Sequence, residues 1–327
     1  MQTTLLGLAI ALILALLAAL VGPSVVDWNR FRPSIEAEAS RLIGAPVRIT
    51  GPIEATILPT PALILSGLEV GPSHASSSVR VRSLAVELHL GALVRGQWRA
   101  QELHLIGPDF NLGIDASGNL ALPPIAPGFD PDQLSIERLN IEDGHAVLAD
   151  SRSGSRITLD KLWFNGDVSS LVGPFRGDGA FVVAGDLYAY RIAAGRAEEG
   201  VLKLRLNVDP LERPLAVDAE GMLSFAGTVP RFDGSMTVSR PAGIALPSGQ
   251  TFASDPWRLT SKVKASPASA LFEGIEFQYG PEERAIRLTG TAELKFGDKP
   301  RFDGILAAAQ IDLDRAFASP DAGGDRG

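Results

Sequence analysis

Along most of this chain, apolar and polar side chains alternate with a period of two. Leu84, Val86, Leu88 and Leu90 are interleaved with Ala85, Glu87 and His89. Leu202, Leu204, Leu206 and Val208 are interleaved with Lys203, Arg205 and Asn207. Ile275, Phe277 and Tyr279 flank Glu276 and Gln278, and shorter runs recur at Leu103/Leu105, Leu139/Ile141 and Ile311/Leu313. Successive side chains of a strand point to opposite faces, so each run predicts a strand with one apolar and one polar face. Strands of that kind belong to antiparallel sheet, since βαβ units bury both faces of their strands.

Turn chemistry separates the runs. Gly-Pro steps begin at Gly22, Gly51, Gly71, Gly107, Gly173 and Gly280. Asp115-Ala116-Ser117-Gly118-Asn119 lies between Leu112/Ile114 and Leu120/Leu122 and predicts a hairpin loop. Pro230-Arg231-Phe232-Asp233-Gly234 returns as Pro300-Arg301-Phe302-Asp303-Gly304, with a looser relative at Pro174-Phe175-Arg176-Gly177. The three predict hairpins of similar shape stacked along one sheet. Leu122–Asp132 (LPPIAPGFDPD) reads as a Pro-rich linker, and the tail at 319–327 as disordered.

Two segments at the N-terminus break the period of two. Pro33 suits a first helical turn, Ile35, Ala39, Leu42 and Ile43 share one face, and Gly44 with Pro46 supplies a stop. Residues 33–43 therefore predict a short amphipathic helix, which either caps the sheet or lies on a membrane; capping is the simpler reading. Before it, Leu5 to Val21 (LLGLAIALILALLAALV) holds nothing more polar than glycine, and no charge precedes Asp27. Extended to Val26, the run is about 33 Å long as a helix, enough for a bilayer core. A membrane anchor is expected over 1–26; a cleaved signal peptide is the competing reading, weakened by the missing basic start and A-x-A site, and a buried helix is a third, weakened by the lack of polar punctuation. Trp28 and Phe31 fall where interfacial aromatics would hold the far end of such a span. Arg30 and Arg32 after the span, with no basic residue before it, argue weakly against an outward-facing body.

Composition narrows the chemistry. The chain has 327 residues, 30 Lys+Arg against 38 Asp+Glu, a net charge of −8 and no cysteine. Scattered cations on an acidic chain exclude a nucleic-acid footprint, and the missing thiols exclude disulfides, zinc ribbons and cysteine nucleophiles. His74, His89, His104 and His145 lack metal-ligand spacing. Asp109, Asp115, Asp143 and Asp150 read as turn residues rather than an acid–base pair. No nucleophile elbow, phosphate loop or calcium loop is present, so neither catalysis, nor a metal, nor a cofactor is expected. A sheet with one apolar face must cover it, with a second sheet or with something the chain does not encode, such as lipid chains. The stripes Leu84, Val86, Leu88, Leu90 and Leu202, Leu204, Leu206, Val208 are the candidate lipid-facing surface, and ordinary dry core is the alternative.

These residues in this order resemble the AsmA family of inner-membrane-anchored envelope proteins, related to TamB-like proteins. The likeness runs from the apolar start through Val26-Asp27-Trp28-Asn29-Arg30-Phe31-Arg32 and Ile35–Ile43 to Gly44-Ala45-Pro46-Val47-Arg48-Ile49-Thr50-Gly51. It continues through Leu58-Pro59-Thr60-Pro61-Ala62-Leu63, Leu65-Ser66-Gly67-Leu68-Glu69-Val70, Gly173-Pro174-Phe175-Arg176, Phe232-Asp233-Gly234 and Leu313-Asp314. The resemblance implies a mainly β, taco-like groove of long, curved antiparallel sheet, built as segments 45–122 and 133–318 around the linker 123–132. A membrane-proximal helix within 27–44 would close its membrane end. It also implies a periplasmic body on an inner-membrane anchor, and a role in phospholipid transport or outer-membrane assembly. The implied partners are membrane phospholipids and other cell-envelope proteins. The alternative is a β-sandwich scaffold that binds an outer-membrane assembly partner. Members of the family usually run longer; about 17 strands at roughly 4.8 Å give a groove of roughly 80 Å at most.

Overall fold

The computed structural model describes Gly22, Gly91 and residues 25–58, 60–71, 77–89, 100–115, 119–121, 136–151, 154–169, 173–210, 215–226, 229–240, 255–281, 285–296 and 299–308. The apolar run up to Val21, His74, Leu90, the linker 123–132, the Ile311/Leu313 pair and the tail 319–327 lie outside them. A 3-10 turn (Trp28–Phe31) leads into α1 (Arg32–Ile43). Seventeen strands follow: β1 (Val47–Ile49), β2 (Ile53–Thr56), β3 (Ala62–Val70), β4 (Ser78–Leu88), β5 (Ala100–Ile114), β6 (Leu120–Ala121), β7 (Ile136–Asp150), β8 (Arg156–Val168) and β9 (Phe175–Val183), then β10 (Asp186–Ala194), β11 (Val201–Pro210), β12 (Ala216–Ala226), β13 (Val229–Arg240), β14 (Trp257–Ala265), β15 (Ser269–Tyr279), β16 (Ile286–Lys295) and β17 (Arg301–Ala308). All belong to one long, curved, open sheet.

From β7 to β17, each strand pairs antiparallel with the next. β1 and β2 pair in turn with β3, a single edge strand interrupted at Thr50–Pro52, and Thr50 and Gly51 keep their bonds to Gly67 and Ser66. The sheet is not purely antiparallel as expected, because β5 and β7 are parallel. Parallel neighbours need a crossover of a dozen residues or more, which the stretch between β6 and β7 supplies. The Asp115–Asn119 hairpin forms: the Asn119 N–H donates to Asp115 Oδ1 at 2.9 Å, and β6 pairs back onto Gly113 and Ile114.

Two expected turns are strand interior instead. β5 runs straight through Gly107-Pro108, and β7 through Asp143-Gly144-His145. The chain accommodates them as bulges. Gly67 (φ 64°), Gly107 (φ 59°), Asp143 (φ 53°) and Lys161 (φ 50°) all take left-handed backbone. Register places them side by side across β3, β5, β7 and β8, with Arg82 of β4 between Gly67 and Gly107. Each bulge resets the alternation, so same-face residues stand three apart at Leu65/Leu68, Leu105/Pro108, Ile141/Gly144 and Leu159/Leu162, and β4 matches them at Val81/Leu84. Most residues lining this seam on the apolar side, Leu65, Leu68, Val81, Pro108, Ile141, Gly144 and Phe164, are buried. The sheet therefore folds toward its apolar face along the seam.

α1 closes the first edge. Pro33 stands in its first turn, and Gly44 (φ 75°) ends it with an N–H bond to the Ser40 carbonyl at 2.9 Å. Ile35, Ala39 and Ile43, with Trp28, pack on Val47, Ile49, Ile53, Leu65, Leu68 and Val81. Capping is thus what the helix does here, although Leu42 lies outside that set. Its polar side chains, with Asn29 of the preceding 3-10 turn, also satisfy the backbone of the free β1–β2 edge. Val47 N–H donates to Ser40 Oγ (2.8 Å), Ile49 N–H to Glu36 Oε1 (2.6 Å) and Ile53 N–H to Asn29 Oδ1 (3.3 Å), while Arg32 Nη2 donates to the Gly51 carbonyl (2.8 Å). Among the described residues nothing covers the opposite end: on β17, Phe302 is 68% and Ile305 78% exposed.

Two substitutions of opposite sign test this account. Glu36→Ala strands the N–H of Ile49, a residue only 2% exposed, and is expected to cost about 1–3 kcal/mol in urea unfolding. Ser261→Ala removes a buried hydroxyl without a hydrogen-bond partner among the described residues and is expected to leave the midpoint unchanged or raised. A lowered midpoint for Ser261→Ala contradicts the assignment.

Candidate functional site

Cross-strand register connects the apolar stripes into continuous rows, because directly opposed residues of neighbouring strands share a face. One row crosses the sheet from Ile53 through Leu65, Leu84, Leu105, Ile141, Phe164, Gly179, Tyr190, Val208, Val217, Val238, Leu259, Phe277 and Leu288 to Ala308. It contains no charged residue. Its fourteen steps at about 4.8 Å measure roughly 67 Å along the sheet. A second row runs beside it: Ala55, Leu63, Val86, Leu103, Leu139, Gly166, Gly177, Ile192, Leu206, Ala219, Met236 and Ser261.

The two candidate stripes, more than a hundred residues apart in sequence, thus occupy the same rows. Leu84 and Val208 share the first, and Val86 and Leu206 the second. Leu204 lies between Ala194 and Gly221, and Leu202 opposite Leu223, on the same face. Leu88 ends β4 opposite Ala100. Leu90 lies outside the described residues. From β10 onward the large row residues, Tyr190, Val208, Val217, Val238, Leu259, Phe277 and Leu288, are only half-buried. A second sheet packed over them would bury them, and none among the described residues does; the face there is open. Of the expected interface anchors, Trp28 is half-buried against the α1-capped core and Phe31 stands 49% exposed, with ring centroids 6.0 Å apart.

Aromatic rings on this face lie over glycines of neighbouring strands. A Cβ at Gly166 or Gly177 would come within 2.6 Å of the Phe164 ring, and one at Gly221 or Gly234 within 2.9 Å of Phe232. The Phe-Asp-Gly echo is therefore a strand device: the phenyl ring covers the bare backbone two residues on, as Phe302 does at Gly304. Both copies and the looser Phe175 relative open the return strand of a hairpin in the one sheet, as expected.

The two margins of the face differ. The row outside the long one runs Phe181–Tyr188–Pro210 on one side and Arg240–Trp257–Tyr279–Ile286 on the other. With Tyr190 it gathers all three tyrosines of the chain, and Phe181 stands 5.6 Å from both Tyr188 and Tyr190. The opposite margin carries Phe225, Phe232 and Phe302. Sequence reading missed this asymmetry; the available signal was a Tyr or Trp at the end of an alternating run, as at Tyr279. Tyr190 donates to the Trp163 carbonyl at 3.2 Å, and burial, followed by the charge of Asp178, raises its phenol to about 12.

Charges occupy the reverse face. Glu220 accepts from Lys203 at 2.9 Å and from Arg205, and these bonds hold its carboxyl down to about 2. Arg176–Asp167 (3.0 Å) and Lys264–Glu273 (2.9 Å) are further cross-strand pairs. His104 is there too, 3.1 Å from Glu142, and His145 Nδ1 lies 2.8 Å from Asp160 Oδ1. Asp109 accepts from Asn111, and Asp143 faces Arg82. No three His, Asp or Glu among the described residues gather as a metal site.

A family model for the AsmA family matches residues 2–214. The chain belongs to the AsmA family. Proteins of that family are generally envelope-associated. Comparison with curated proteins and with solved structures finds no match. The AsmA match covers strands β1 to β11, and β12–β17 continue the same rows beyond it. Among the described residues, no helix of this AsmA-family chain is long and apolar enough to cross a membrane.

The raised phenol of Tyr190 has a defined pH signature. Its stabilising contribution is complete below pH 10, the ordinary tyrosine value, and is lost as pH rises from 10 to about 12. Ultraviolet titration is expected to show one tyrosine ionising late, and Tyr190→Phe to remove that component. A titration without that late component, or one that Tyr190→Phe leaves unchanged, would contradict the packing described.

Proposed function

We propose that the apolar face of this protein holds the acyl chains of membrane phospholipids, and that it contributes to phospholipid transport between membranes or to outer-membrane assembly. The observation that carries the reading is the uncharged row from Ile53 to Ala308, which from Tyr190 onward is only half-buried and is covered there by no other layer of the described chain. Water against such a face is unfavourable by about 25 cal/mol per Å², and an acyl chain gains about 0.8 kcal/mol for each CH₂ it buries. A groove of this kind binds chains without directional polar contacts, in keeping with a face whose charges lie almost wholly on its reverse. In this reading Leu84, Val86, Leu88, Leu202, Leu204, Leu206 and Val208 line the groove, and residues 1–26 anchor it in the inner membrane with the body in the periplasm. Other cell-envelope proteins are its proposed protein partners. The protein performs no reaction and holds no cofactor or metal.

Native mass spectrometry of the gently extracted full chain tests the proposal. Co-purified phospholipid in defined stoichiometry is expected. Leu204→Asp should leave the circular dichroism spectrum unchanged and strip that lipid. Unfolding by Leu204→Asp would mark the residue as sealed core, and absence of lipid from the wild-type protein would favour a scaffold.

A further inference from the structure

The margins of the face pose a question that the groove reading leaves open: which side the lipid head groups occupy. Across β9–β17, Arg240 is the only cationic side chain among the described residues of the apolar face. The other lysines and arginines of those strands, including Arg191, Lys203, Arg205, Arg258, Lys262 and Lys264, alternate to the reverse. Arg240 stands at the end of β13, directly opposite Trp257, whose own neighbour on β15 is Tyr279. Its Cζ lies 6.0 Å from the centre of the Trp257 ring, and its Nη2 donates to the Asp255 carbonyl at 3.0 Å. Its Nε is buried and has no acceptor, and it forms no ion pair among the described residues.

A half-buried guanidinium fixed by one carbonyl and one indole face keeps a donor that matches an anion. Arginine matches phosphate oxygens with parallel N–H donors, and the chain around it carries a net charge of −8, which disfavours free anions. Trp257 and Tyr279 beside it are the side chains that favour a boundary between hydrocarbon and water. The apolar row begins one residue pair inward, at Val238 and Leu259. We infer that Arg240, seated against Trp257, binds the phosphate of a glycerophospholipid whose acyl chains lie on the apolar rows. Head groups then line the Tyr/Trp margin and chain ends point toward the Phe margin. This rests on the proposed groove and adds to it an orientation and a preference for phosphate-bearing lipids.

The test uses the full chain in mild detergent, offered phosphatidylglycerol and diacylglycerol with identical acyl chains in competition, with bound lipid read by native mass spectrometry. The wild-type protein is expected to prefer the phospholipid. Arg240→Gln should lower that preference by about tenfold while total bound lipid stays constant, and Arg240→Lys should restore part of it. An unchanged preference in Arg240→Gln overturns the site and leaves the groove standing. Displacement of the phospholipid by inorganic phosphate alone overturns the lipid assignment of the anion. A wild-type protein that takes up neither lipid overturns the groove itself, and the site with it.

Discussion

Cross-strand register is the constraint on which the rest of this molecule depends. Each strand is held by hydrogen bonds to its neighbours in the sheet, and a slip of one residue would carry its whole apolar set to the charged face. The structure meets that demand fourteen times in succession between Ile53 and Ala308. Once register is fixed, the alternation of each strand becomes a property of the sheet: one continuous apolar surface, backed by cross-strand pairs such as Lys203–Glu220 and Arg176–Asp167. These exposed pairs add little stability individually. Their effect is on specificity, because like charges opposed across a slipped register would repel.

A sheet this long must also bend. The bulges at Gly67, Gly107, Asp143 and Lys161 stand in one line and give the first half a fold along which the deepest burial occurs. In the second half, glycines covered by Phe164, Tyr190 and Phe232 allow neighbouring backbones to approach where a Cβ would not fit. Both devices act on the apolar side. The curved sheet is therefore closed most tightly at its α1 end, where Glu36, Ser40, Asn29 and Arg32 satisfy the edge backbone. It is open at β17.

The AsmA match spans the α1-capped end and the strands up to β11; the rows themselves show that β12–β17 extend the same surface. An uncovered face of this length, with amphipathic aromatics along one margin and phenylalanines along the other, presents an amphiphile with two unlike sides. In the proposed groove, that asymmetry is the feature that orients the lipid.

The sequence by itself determined the strand faces, α1 with its Gly44 stop, the Asp115–Asn119 hairpin and the absence of thiol chemistry. Each rests on a local period, a cap or a composition, and these survive in any tertiary context. It misplaced Gly107-Pro108 and Asp143-Gly144-His145, since a glycine beside a proline or aspartate signals a turn and an interior bulge with equal strength. Only neighbouring strands with matching irregularities turned those residues into a seam. The parallel pairing of β5 with β7, the meeting of Leu84 with Val208 in one row and the gathering of Tyr188, Tyr190, Arg240, Trp257 and Tyr279 at one margin belong to the tertiary structure alone. They depend on which strand ends lie side by side, and register between distant strands leaves no local trace.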